Sequence, residues 1–250
     1  MRGRAGFAAG ARAALTFLTR LPGGPLSASD FAAAPGWFAA VGLLVGTVQA
    51  AVFLLALQLW GAPLAAVAAL AAGILLTGAL HEDGLADTCD GLGPRVPRER
   101  ALEIMRDSRI GTFGALGLGL VLGAGILVLA SLGPAAPTAL IAGQALSRAV
   151  MTSLLLRGTY LRPQGLGTGM TGPMTAGGLA ATGIAVAVAL ALSGQAHGAA
   201  VVGGLTGLLL GAGAVWAVAR RRLGGVTGDI LGAAQQAGLL GFWLGVLAWL

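Results

Sequence analysis

"HEDGLADTCDGLG", residues 81–93, ends a run of fifty residues, Phe31 to Leu80, that holds no Asp, Glu, Lys or Arg. A membrane crossing needs about 20 consecutive apolar residues, so that run is long enough for two. The quoted stretch then places Glu82, Asp83, Asp87 and Asp90 within nine positions. Lipid on one side and a knot of acids on the other make this the boundary from which the fold is read.

The rest of the chain repeats the pattern. Ile110–Ser147 and Pro163–Ala219 are also uncharged, apart from His197. Charged residues make up 10% of the chain, against roughly 25% in a soluble domain, which excludes an ordinary water-soluble fold. The 44 glycines suit close helix packing in lipid, where small residues let backbones approach. The pattern predicts a single all-α domain over 1–250: a polytopic helical membrane protein of about seven transmembrane helices. The expected spans are 37–60, 64–81, 112–132, 138–156, 177–193, 198–219 and 234–250. Two amphipathic segments, the basic amino-terminal "MRGRAGFAAGARAALTFLTRLP" and "RERALEIMRD", read as short interfacial helices. Arg12 and Arg20 interrupt any signal-peptide core in the first of these.

Connections between the spans alternate in character. "GAP", "GPAAP" and "GQAHG" are short and uncharged, whereas 1–36, 82–111, 157–176 and 220–233 carry fourteen of the fifteen arginines. Seven spans put all the charged connections on one face, and the positive-inside rule names it cytoplasmic. Basic charge of this kind reports topology, so the net charge of +6 does not indicate nucleic acid. With one cysteine, Cys89, no intrachain disulfide can form, and Cys89 reads as a small packed hydrophobe.

Seven of the nine carboxylates lie between Glu82 and Asp107, so the chemistry is expected at that face. If 81–91 continues the second span as a helix, Asp83, Asp87 and Asp90 share one stripe, with Glu82 beside it. Carboxylates so placed repel one another, and a hard cation such as Mg²⁺ relieves them. The expected metal set is therefore Glu82, Asp83, Asp87 and Asp90. Gly91 allows close backbone approach and a helix end. His81 orients a carboxylate or sits at the interface; without an HExxH pattern it does not indicate a zinc protease. Arg95, Arg106, Asp107, Ser108 and Arg109 stand at the mouth of the next span, and Arg suits phosphate. Arg148, inside a span, is expected to face a polar cavity and touch a carboxylate or a substrate phosphate. "GLGTGMTG" (165–172) reads as a polar glycine loop on the same face. Asp229, with Gly225 leaving room nearby, is expected to face the same cavity as ligand or base; the competing reading is an N-terminal helix cap.

Three long motifs, "HEDGLADTCDGLG", "IMRDSRIGTFGALGL" (104–118) and "RRLGGVTGDILGAAQ" (221–235), resemble the cobalamin synthase family of adenosylcobinamide-GDP ribazoletransferases. "ALTFLTRLPGG" (14–24) and "ALSR" (145–148) are similar to it as well. The resemblance implies the last assembly step of cobalamin (vitamin B12). Adenosylcobinamide-GDP meets α-ribazole or its 5′-phosphate, GMP leaves, and adenosylcobalamin or its 5′-phosphate forms. It also implies Mg²⁺, a multi-pass place in the bacterial inner membrane, and a phosphotransfer site. "DTCDGLGPR" (87–95) partly resembles the DxxDGxxAR of CDP-alcohol phosphotransferases, whose GxxxDxxxD does not follow at the expected spacing. A UbiA-like prenyltransferase needs a second Asp-rich motif, where this chain offers only Asp229. A cation transporter would favour polar residues at mid-bilayer depth in both halves. The oligomeric state, including a homo-oligomer, stays open.

Overall fold

The computed structural model describes residues 7–162 and 169–250; the start of the 165–172 loop lies outside them. The described residues form helices, with one isolated parallel bridge, Tyr160 to Val226. In order they are α1 Phe7–Leu18, α2 Ala28–Ala33, a 3-10 turn leading into α3 Phe38–Trp60, α4 Ala62–Thr77, α5 Leu80–Leu92, α6 Arg98–Ile104, α7 Thr112–Leu132, α8 Ala136–Arg157, α9 Ala176–His197, α10 Ala200–Leu223 and α11 Gly228–Leu247.

Five continuous helical stretches are long and apolar enough to cross a membrane, and the bent pair α4–α5 makes a sixth. One of the five, Thr112–Arg157, spans both α7 and α8. Gly114 at the start of α7 lies against Asp90, and Gly125 further along meets Trp243. Trp243 also donates to the Ala139 carbonyl near the start of α8 (3.1 Å). Thus α7 and α8 run in opposite directions, joined at Gly133, whose φ of 52° an L side chain rarely adopts. The long apolar helices α3, α4, α7, α8, α9, α10 and α11 roughly fit the seven expected spans, with α4 passing the length and composition test only together with α5.

Small residues set the tightest seam. Gly203, Gly207 and Gly211 of α10 face Gly245, Gly241 and Ala237 of α11, and a Cβ on any of these three α10 glycines would overlap the opposing backbone. With no hydrophobic force between helices in lipid, such close van der Waals contact supplies the association. A layer of buried polar groups, Gln49, Gln144, Ser147, Arg148 and Gln235, crosses α3, α8 and α11. Gln144 donates to Gln49 (2.8 Å) and Gln235 to Ser147 (2.9 Å).

The second span departs from expectation. Gly78 (φ 67°) and Ala79 (φ 59°) are both left-handed, and α5 leaves α4 at 92° instead of continuing it. Left-handed backbone costs an L residue roughly 1–2 kcal/mol, so Ala79 is held there by its surroundings. The Arg20 amide, just past α1, donates to the Leu76 carbonyl (2.8 Å) beside that bend. Two boundaries also moved. α10 runs through Arg220–Arg222, placing their charges at the helix carbonyl end, and α11 starts at Gly228, well before 234. α1 is more than an interfacial helix, because Ala13, Ala14 and Leu18 are buried in the fold.

Candidate active site

α5 lies across the starts of α11 and α7, because glycine removes the side chains between them. A Cβ on Gly84 would come 2.9 Å from the Asp229 carbonyl oxygen and 3.0 Å from its Cα. One on Gly93 would strike the Phe113 ring. The acidic segment is therefore helical, as expected, but carried sideways over the helix ends.

Asp83 and Asp229, 146 positions apart in sequence, line one cavity of about 260 Å³. Phe17, Phe38, Met151, Leu155 and Met170 give it an apolar interior, and Tyr160 and Arg162 join the two acids at its polar side. Arg162 donates to Asp229 at 2.6 Å. The Thr227 hydroxyl also lies 3.2 Å from that carboxylate. Thr227, not Asp229, caps α11, accepting from the Ile230 amide. The helix-cap reading of Asp229 thus gives way to the cavity reading.

Arg162 and Tyr160 escaped the sequence reading. They owe their place to the Tyr160–Val226 bridge, in which the Val226 amide donates to the Thr159 carbonyl (2.9 Å) and the Leu161 amide to the Val226 carbonyl (2.8 Å). Gly225 makes this approach possible, since a Cβ there would overlap the Thr159 carbonyl. Its neighbours are the Thr159 carbonyl and the Leu161 side chain.

The four acids of the knot take different partners. Both oxygens of Asp90 accept backbone amides at the start of α7, Gly111 at 2.7 Å and Gly114 at 2.8 Å. Glu82 accepts from Gln236 at 2.8 Å. Among the described residues no side chain donates to Asp83 or Asp87, which stand one turn apart, Asp83 exposed and Asp87 half-buried. No group of three His, Cys, Asp or Glu suited to a metal ion occurs among the described residues. His81 is buried against the cavity.

The remaining expected residues fall elsewhere. Asp107 and Arg109 pair at 2.6 Å and, with Asp90 and Arg100, line a second depression of about 320 Å³ at the start of α7. The Arg109 guanidinium holds the Asp107 carboxyl down at about 2. Arg95, Arg106 and Ser108 are exposed on the connections around it. Gly91 is the last residue but one of α5 and admits the Met105 side chain beyond α6. Arg148 is 1% exposed and so turned away from lipid, but against expectation it lines neither the cavity nor the depression, and it donates to the Gln144 backbone and side chain instead of to a carboxylate. Arg222, read as a topology signal, also holds the loop after α5. It donates to the carbonyls of Leu92, Pro94 and Val96.

Residues 10–247 match the family model described as cobalamin-5-phosphate synthase. The chain is 41% identical over 247 residues to the adenosylcobinamide-GDP ribazoletransferase of Escherichia coli strain K12, covering 94% of this chain and 98% of the relative. It is 43% identical over 253 residues to the enzyme of that name from Klebsiella pneumoniae strain 342, with the same coverage of each. No solved structure shows a significant match. The all-helical membrane architecture, the three motifs around α5, α7 and α11, and these likenesses together show that the chain belongs to the cobalamin-5-phosphate synthase family.

Proposed function

We propose that this protein joins adenosylcobinamide-GDP to α-ribazole or its 5′-phosphate, releasing GMP and forming adenosylcobalamin or its 5′-phosphate. The observation that carries the reading is the meeting of Asp83 and Asp229 at one cavity, with Asp87 one turn beyond Asp83. A ribazole hydroxyl attacks the phosphorus on the corrinoid side of the diphosphate. Its proton passes to Asp229, oriented by Arg162 and Thr227. A new phosphorus–oxygen bond forms, the bond to the GMP oxygen breaks, and its electron pair leaves with GMP. Carboxylate base and fixed angle are the two things such an attack needs.

Asp83 and Asp87 fit a Mg²⁺ site of the kind that takes one or two carboxylates and completes itself with substrate phosphate and water. The absence of side-chain donors to both among the described residues favours a cation there. Bound Mg²⁺ would neutralise charge on the departing phosphate. Glu82 and Asp90, already hydrogen-bonded elsewhere, support the helix that carries this pair. Arg100 and Arg109, in the depression at the other end of α5, suit the guanosine diphosphate. The charged face is cytoplasmic by its arginines, in the bacterial inner membrane, where a membrane-held corrinoid and a soluble nucleotide can meet.

The test is direct. Purified protein with adenosylcobinamide-GDP, α-ribazole and Mg²⁺ should release GMP in step with corrinoid product. GMP release independent of α-ribazole would refute the transfer.

A further inference from the structure

We infer that the apolar cavity beneath Asp83 and Asp229 is the seat of the ribazole base, with the sugar held at its polar side. The inference rests on the transferase reading above and names which substrate occupies which part of the molecule. Three observations carry it.

The first is size. A cavity of about 260 Å³ lies just below the roughly 300–1,000 Å³ range of small-molecule sites, which suits a fused two-ring base and excludes a corrin macrocycle. The second is lining. Phe17, Phe38, Met151, Leu155 and Met170, from α1, α3, α8 and the segment before α9, make much of it apolar, with Leu18, Leu80 and Leu231 beside them. Away from the polar side, the buried His81 ring is the one lining group that offers a donor or acceptor stronger than a thioether. A guanine or adenine ring placed there would leave several polar edge groups unpaired, at about 1–3 kcal/mol each. A benzimidazole carries a hydrocarbon edge and loses far less. The third is polarity at one side only. Asp83, Asp229 and the Arg162 guanidinium stand where the base would join its ribose. A nucleoside entering base-first therefore presents its hydroxyls to the carboxylates, which is the orientation attack requires.

The cavity also explains why α1 is built into the fold. Phe17 and Leu18 close one wall, and the Arg20–Leu76 backbone bond pins the end of α1 to the bend from which Asp83 departs. The wall that senses the base and the helix that holds the acid are thereby fixed to each other.

Met151→Trp fills the cavity from α8, away from the acids. Steady-state GMP release is measured with each substrate varied in turn, alongside equilibrium dialysis of α-ribazole alone against the purified protein. Mis-sized apolar pockets change discrimination by about 10–200-fold, so KM and the dialysis Kd for α-ribazole should rise at least tenfold, while KM for adenosylcobinamide-GDP stays within about twofold. Leu155→Phe, a smaller change in the same wall, should move the same constants in the same direction and serves if Met151→Trp does not elute as a monodisperse peak. Unchanged α-ribazole constants in the folded variant, or a rise confined to the corrinoid substrate, overturn the inference. Failure of the unmodified protein to release GMP is a different result: it removes the transferase reading itself.

Discussion

Gly84→Ala is the sharpest perturbation of this site, because it adds one methyl group and touches no functional atom. An added Cβ would sit 2.9 Å from the Asp229 carbonyl oxygen and 3.0 Å from the Asp229 Cα. Ordinary heavy-atom contact is about 3.5–4.0 Å, so α5 and α11 must part by roughly 0.5–1 Å. Both partners are backbone, so neither can rotate away. Overpacking of this kind costs about 1–3 kcal/mol. Alanine returns about 1 kcal/mol of that through its better helix propensity. The protein should therefore fold, with a melting temperature only modestly lower. Turnover should respond far more, because the added methyl separates Asp83 from Asp229. A displacement near 1 Å at reacting groups costs on the order of 10²-fold, so GMP release should fall about a hundredfold. Gly119→Ala and Gly123→Ala on α7 are the controls, since a Cβ at either meets nothing within 4 Å. Detergent-purified variants are compared for GMP release and for thermal unfolding. Wild-type turnover in a folded Gly84→Ala protein would refute the claim that this helix crossing positions the acids.

Thr227 and Asp229 should separate cap from chemistry: Thr227→Ala loses about 1 kcal/mol of stability and lowers turnover only a few-fold, because Arg162 still orients Asp229, while Asp229→Asn keeps stability and loses turnover. The stability side is read by thermal unfolding, and near-normal turnover in Asp229→Asn would remove it as the base. Asp83→Asn and Asp87→Asn should each lower activity by orders of magnitude and raise the Mg²⁺ concentration for half-maximal rate; an unchanged Mg²⁺ titration would exclude the pair as ligands. Asp90→Ala strands the Gly111 and Gly114 amides, and each lost bond to a buried group costs about 1–3 kcal/mol, so a drop in melting temperature is expected, and a stability equal to wild type would contradict it. Gly207→Val on α10 should abolish a monodisperse folded protein, because even a Cβ there overlaps the Gly241 carbonyl; normal yield would mean the α10–α11 seam is not rigid.

What could be read in the chain alone was what periodicity and composition encode. Uncharged runs of the right length gave the membrane class and roughly the number of long apolar helices, because lipid penalises any other arrangement. The Gly/Pro connections gave three of the breaks between helices, at the positive-φ Gly61, Gly133 and Gly198. Asp83 and Asp87 sit one turn apart on one helix, so their proximity is local and follows from 3.6 residues per turn. The family was legible too, since its motifs are contiguous.

Tertiary structure decided the rest, because it depends on pairs distant in sequence. Two successive left-handed residues, Gly78 and Ala79, turned α5 by 92° and laid it over α11; no pattern in "LTGALHE" marks an alanine for that conformation. The same packing divided the acids, sending Asp90 to the amides of α7 and Glu82 to Gln236, while leaving Asp83 and Asp87 open. Arg162 reached Asp229 across 67 residues through a two-residue bridge that Gly225 makes room for. Arg148 was legible as a costly charge inside a span, but its partner, Gln144, was hidden in plain view one turn earlier. A polar side chain in an apolar helix signals that something is paired, and only the assembled neighbours determine with what.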